Sequence, residues 1–507
     1  MSKPRDIMTS GVWTLGLLAV ALSGAWAQDT STPPATGTAP DANAQSQEPV
    51  SPLPAYGQEN PPPAVTENPP LSGIDLPSLE PHAAPLSYLQ PGATVSQSLD
   101  TNPTTALGGQ SAYSVSRALG SMTLQRLWSH YDLALDYIGG VAYYDLQGQG
   151  LKNLQQMDIN QKLSWKRGEL NLRETFSYLP EGNFGAAYGS LGSTGIASLG
   201  NTGAAPLLTG SILGDLGLAP RILNVSMADV EEYLSPKSSI TAAGGYGFTH
   251  FYGDDATTGT QFLGSSEAFA QVGYSRVMTS HTQVALMYAY QGFDFNFSGL
   301  SFHSNIFQAM YGHRISGRMD FLIAAGPQLT FIGAECSALD VITDPDQCSI
   351  NASGAVEGTI PDRRLGVAGR ARLRYRFTKT ELDASYSRFD TNGSGLFAGA
   401  QTDVALLDAT RPLSRVWDLT VDLGYSRNVR LQPASEGVDA NSYTYGFVGG
   451  ALHRQFGHNF HAFFSYQFNE LAFDNSLCTA GTACNRISNR QVATFGLDWT
   501  PRPMRID

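Results

Sequence analysis

RLGVAGRARLRYRF, residues 364–377, decides how the chain is read. Leu365, Val367, Ala371, Leu373, Tyr375 and Phe377 occupy the odd positions, and Arg370, Arg372, Arg374 and Arg376 the even ones. Side chains alternate across a strand with period two, so an extended chain sets four guanidinium groups in one column and an apolar, aromatic-ended band on the other face. Wound as a helix, the same residues scatter arginine all round and leave no apolar stripe. The stretch is a strand whose two faces meet different solvents.

Outward from it, the pattern repeats. Val284, Leu286, Tyr288 and Tyr290 alternate with Gln283, Ala285, Met287 and Gln291; Leu419, Val421, Leu423 and Tyr425 with Asp418, Thr420, Asp422 and Ser426; Phe460, Ala462, Phe464, Tyr466 and Phe468 with His461, Ser465, Gln467 and Asn469. Tight connections recur at 129–130, 166–168, 235–237, 279–281, 316–317, 378–380, 412–414 and 456–459. Between them fall longer connections rich in Gly, Asp and Asn, near 145–154, 181–221, 253–264, 295–300, 334–362, 390–401, 432–441 and 472–489. A regular alternation of short turns and long loops belongs to an all-β, single closed antiparallel transmembrane β-barrel. Eight tight turns give sixteen strands, and one more at each end (88–100 and 490–502) gives about 18. Sixteen is the alternative, should 88–100 stay outside the wall.

Composition agrees. Charged residues make up 15% of the 507-residue chain, against about 25% in soluble proteins. Mean hydropathy is −0.16, and beyond the N-terminus no apolar run reaches the ~18 residues of a helical span. Tyrosine pairs near strand ends, Tyr143 with Tyr144 and Tyr443 with Tyr445, are expected in headgroup-level aromatic belts.

Lys3 and Arg5 followed by the apolar stretch 12–22 and Ala25-Trp26-Ala27 form a signal peptide over 1–27. Residues 28–80 carry twelve prolines, seven acids and no Lys or Arg, which excludes a core and reads as a disordered Pro-rich acidic periplasmic segment. The barrel follows over 86–507. Together these place the chain in the outer membrane of a Gram-negative-type envelope. The cysteines pair naturally as Cys336–Cys348 and Cys478–Cys484, loop staples in an oxidising compartment. A net charge of −13 without a basic face excludes nucleic acid as a partner.

The final run Thr494-Phe495-Gly496-Leu497-Asp498-Trp499 resembles the closing-strand signal of Gram-negative outer-membrane β-barrels, and 86–507 as a whole resembles the porin-like members of that class. The tail Pro501 to Asp507 runs past the aromatic and departs from the pattern. The resemblance implies contact with outer-membrane lipid and lipopolysaccharide, insertion by the barrel-assembly machinery, and no cofactor.

Arginines facing lipid would cost about 2–4 kcal/mol each at mid-depth, so Arg370, Arg372, Arg374 and Arg376 belong to the lumen. The next strand offers Glu381 and Asp383. Either these acids answer the arginines in a wall-stiffening salt-bridge network, or a surplus of positive charge draws an anionic solute or polysaccharide through the pore. Arg173, Asp418 and Asp422 are further lumen residues, with Asp136, Asp320, Arg314 and Arg430. The apolar connection 181–221 is expected to fold inward, and the acidic one at 334–362 to be a solvated loop rather than a cation site. No nucleophile–base spacing or metal-ligand motif is present, so neither catalytic residues nor a metal site is expected. Two functions follow: passive passage of small solutes or an acidic polymer through a partly Arg-lined lumen, or a structural or surface-interaction barrel with an occluded lumen.

Overall fold

A computed structural model describes residues 87–102, 112–145, 150–179, 221–251, 264–295, 300–335, 348–350, 356–391, 397–432, 440–457, 459–474 and 485–506. The signal peptide, the Pro-rich segment, nearly all of 181–221, and Cys336, Cys478 and Cys484 lie outside them, as does the side chain of Cys348.

Eighteen long strands form the wall: β1 (Tyr88–Asp100), β2 (Tyr113–Leu127), β3 (Tyr131–Tyr144), β4 (Gly150–Trp165), β5 (Gly168–Leu179), β6 (Arg221–Ser235), β7 (Ser238–Phe251), β8 (Ser265–Thr279), β9 (Thr282–Phe295), β10 (Ser301–Ser316), β11 (Met319–Glu335), β13 (Val356–Arg376), β14 (Glu381–Thr391), β15 (Ala400–Pro412), β16 (Trp417–Arg430), β17 (Ser442–Phe456), β18 (Phe460–Phe473) and β19 (Ile487–Trp499). Two short strands, β12 (Cys348–Ile350) and β20 (Met504–Arg505), are appended to β13 and β1. Every wall strand is antiparallel to its neighbours, and β1 pairs with both β2 and β19, from Ala93↔Trp499 to Asp100↔Val492 on the latter side. The sheet therefore closes on itself. Closure removes the sheet edges that a lipid environment cannot hydrogen-bond.

The period-two pattern sorts the residues as the sequence implies. Val95, Leu286, Leu365, Phe464 and Phe495 are exposed on the outer face, while Ser96, Ser98, Gln291, Ser465 and Gln467 are buried on the inner one. At the tight-turn end the outer face carries an exposed aromatic girdle of Trp128, Tyr131, Trp165, Phe377, Phe456, Phe460 and Trp499. Arg126 lies 4.8 Å over Trp128 and Arg454 4.6 Å over Phe456, a geometry that lets a guanidinium reach the headgroup layer from an aromatic anchor.

Two expectations need correction. Tyr144, Tyr443 and Tyr445 are 1%, 1% and 5% exposed and point inward; only Tyr143 of those four is exposed on the outside. They share strand parity with inward neighbours such as Ala142 and Phe447, and parity overrides residue type. The two ends of the 334–362 connection, 334–335 and 356–362, are also strand: β11 and β13 stay paired up to Glu335↔Thr359.

The closing seam is fastened from inside. Arg490 Nε donates to both oxygens of Asp100 at 3.1 and 3.0 Å. Arg117 Nη1 donates to Ser98 Oγ at 2.6 Å, and Ser98 Oγ lies 2.8 Å from Thr494 Oγ1.

Candidate functional site: the inner face

The inner face is a packed polar layer. Gln156, Gln291, Gln328 and Gln467 are almost wholly buried, and the amides of Gln156, Gln291 and Gln467 donate to other wall residues, as Gln291 Nε2 does to Glu267 Oε1 at 2.9 Å.

The arginine column occupies one side of it. Register places Arg370, Arg372, Arg374 and Arg376 beside Ser387, Ser385, Asp383 and Glu381 of β14, and Arg374 beside Asp320 of β11. The ion pairs follow. Arg372 Nη2 meets Asp383 Oδ2 at 2.7 Å, with Nε at 2.9 Å on the same oxygen. Arg374 donates to Asp320 Oδ2 from Nη2 at 3.0 Å, and Arg376 Nε to Glu381 Oε1 at 3.1 Å. Four guanidinium groups thus alternate with three carboxylates. The repulsion expected between parallel arginines, about 7 Å apart along a strand, is answered at each of these three.

Arg173 sits elsewhere, on β5, with Nη2 2.8 Å from Asp229 Oδ1; Asn171 Nδ2 donates to the other oxygen of Asp229 at 3.0 Å. Asp418 and Asp422 lie on the inner face of β16, Asp418 across from His453 and Asp422 across from Asp408. The structure therefore does not gather the expected lumen residues into one site. Arg370 to Arg376, Glu381 and Asp383 form one cluster with Asp320; Arg173 joins a second; Asp418 and Asp422 begin a third. Among the described residues no three His, Cys, Asp or Glu are placed to hold a metal ion.

A constriction enters from a part of the chain read as an ordinary loop. Asp390, 2% exposed, accepts hydrogen bonds from Thr330 Oγ1 and, at 3.2 Å, from Ser304 Oγ. Both hydroxyls lie on the inner face of β11 and β10. Phe397 packs 5.2 Å from Tyr443 beneath Arg430, whose guanidinium lies 4.6 Å over the ring. Leu431 joins a cluster with Phe293, Phe295, Phe302 and Ile332, and Ala398 packs against it. The top of the β14–β15 hairpin and the end of β16 thus lean across the lumen. Sequence reasoning missed Asp390 and Phe397 because both fall in a Gly- and Asn-rich connection without strand parity.

No family model matches the sequence, and no curated protein matches it. Among solved structures, Pseudomonas aeruginosa OpdQ aligns with 9% identity over 82% of this chain and 99% of its own, at a TM-score of 0.40. Pseudomonas aeruginosa OpdL gives 10% identity, 82% and 98% coverage and a TM-score of 0.38. The ferric-catecholate import receptor Fiu of E. coli gives 8%, 81% of each chain and 0.39. Proteins as differently named as these score alike, so the likeness distinguishes no function. The closed wall, its apolar outer band and its girdle are those of a transmembrane β-barrel of the outer-membrane class. Among the described residues no helix is long and apolar enough to cross a membrane.

Proposed function

We propose that the chain is a passive outer-membrane channel for small solutes, with the tight turns and the N-terminal segment on the periplasmic side. The observation that carries this reading is the inner face: polar and charged residues continue along it from strand to strand, opposite an apolar exterior. To the arginine column along one side of the passage we assign a mild preference for anions. An enzymatic role finds no support in the arrangement of inner-face residues.

Single-channel recording in planar bilayers tests the reading. Steady conductance with a reversal potential displaced toward the anion equilibrium value is expected, and the Arg372→Gln/Arg374→Gln variant should move it toward zero selectivity. Unchanged selectivity removes the column from the mechanism. The occluded-lumen alternative draws on the Phe302–Leu431 cluster, and correctly folded protein that never conducts would establish it.

A further inference from the structure

At the tight-turn end the two signs of charge are sorted by strand parity. Arg126, Arg276, Arg411 and Arg454 hold outward positions within three pairs of their turns, and all are exposed. The turns add Lys166, Arg167, Lys237, Arg318, Lys379 and Arg415, exposed as well. Every one of the eight tight-turn hairpins thus carries at least one of these ten cations. The carboxylates of the same hairpins turn the other way. Asp132, Glu169, Asp320, Glu381 and Asp418 hold inward positions, and Asp132, Asp320 and Glu381 stand across from the inward Lys162, Arg314 and Arg376. Among the described residues Glu232 is the only carboxylate on the outer face at this end, and Trp165 Nε1 donates to its Oε2 at 2.9 Å. Within the described residues none of the ten cations forms an ion pair.

Two of the guanidinium groups fix the height of this ring. Arg126 lies 4.8 Å over Trp128, and Arg454 lies 4.6 Å over Phe456 and 5.2 Å over Trp417. Each arginine starts two residues further up its strand than the aromatic it covers on that strand, Trp128 or Phe456, and leans back towards the turn. That is how a long cationic side chain keeps its stem on apolar surface and its head at the headgroups. The rings beneath belong to the aromatic girdle, which marks headgroup depth. The ring of cations is therefore level with lipid phosphates and points at them.

Its distribution decides the partner. A protein docks on one side of a cylinder and needs a one-sided patch, whereas cations on all eight hairpins match a ligand that surrounds the wall. We propose that the ring gathers an annulus of anionic phospholipid from the leaflet at the tight-turn end, with phosphates against the outward guanidinium and ammonium groups. Guanidinium groups suit phosphate oxygens, and basic clusters at a membrane surface attract anionic lipid. The inference rests on the membrane placement above and goes beyond passage through the lumen, so a barrel that never conducts leaves it standing.

The four tryptophans beyond residue 27, Trp128, Trp165, Trp417 and Trp499, all lie at this end, so their emission reads the lipid beside the ring. The full chain is folded into phosphatidylcholine vesicles holding a fixed minor fraction of brominated phosphatidylglycerol or, in parallel, of brominated phosphatidylcholine; bromine quenches tryptophan on contact. Each surface cation favours an adjacent anionic lipid about fivefold. Only part of the annulus touches a cation, so the anionic lipid should quench about twofold more. Salt at about 1 M should abolish the excess. The variant Lys166→Gln/Arg167→Gln/Lys237→Gln/Arg276→Gln/Lys379→Gln/Arg415→Gln, its folding checked by heat-dependent gel migration, should lose at least half of it. Equal quenching by the two lipids, or an excess that survives high salt or the folded variant, overturns the proposal. An excess that emerges only once the seven acids of 28–80 are made amides assigns the ring to that segment and overturns it equally.

Discussion

Replacing Arg490 with Met probes how the barrel is held shut. Arg490 and Asp100 are 5% and 1% exposed in their side chains, and the guanidinium engages both carboxylate oxygens. The backbone N–H of Asn102, 3.0 Å from Asp100 Oδ1, is a further donor to that carboxylate. Removing one member of a buried ion pair leaves an uncompensated charge and costs about 3–5 kcal/mol. At roughly 1.4 kcal/mol per factor of ten, the folding equilibrium should fall by about two to three and a half orders of magnitude. Replacing both partners, in Asp100→Leu/Arg490→Met, removes the charge with its partner and should recover most of the loss. Urea titration of the barrel in lipid vesicles, followed by tryptophan emission and by heat-dependent gel migration, measures both. A loss below about 1 kcal/mol in Arg490→Met, or a double variant as unstable as the single one, would refute the reasoning.

Asp390→Ala removes the acceptor shared by Ser304 and Thr330, so the infolded hairpin should swing out and single-channel conductance should rise; equal conductance would show that the hairpin does not narrow the lumen. Gly326→Ala places a Cβ 1.7 Å from the Phe307 carbonyl oxygen, a backbone clash expected to cost about 1–3 kcal/mol in the same urea titration. Leu286→Arg puts a charge on an outer-face position that is 66% exposed; vesicle-folded protein should lose about 2–4 kcal/mol, whereas detergent-solubilised protein should lose much less.

The wall was legible because its evidence is local. Short turns such as 316–317 and 378–380 fix where each hairpin reverses, and parity then sorts Arg372 inward and Leu373 outward without any tertiary information. Glu381 and Asp383 could be matched with arginines because only a tight turn separates β13 from β14. Asp320 as the partner of Arg374 could not, since the register of β11 against β13 depends on the long connection between them. The inward tyrosines were misjudged because residue type was weighed above parity at Tyr443 and Tyr445. The infolded hairpin left no trace in the pattern: nothing in the composition of 390–401 distinguishes a loop in solvent from one bonded to Ser304.

The C-terminal tail has a bearing on biogenesis. After Pro501 the chain keeps running along β1: β20 pairs Met504 with Leu89 and Arg505 with Tyr88, Ile506 N donates to Ser87 O at 3.0 Å, and Gln90 Nε2 to Pro501 O at 3.0 Å. These pairs form only when the first and last wall strands have met, while the Met504 and Arg505 side chains stay exposed. A cross-link between positions 89 and 504 would therefore report on closed molecules alone.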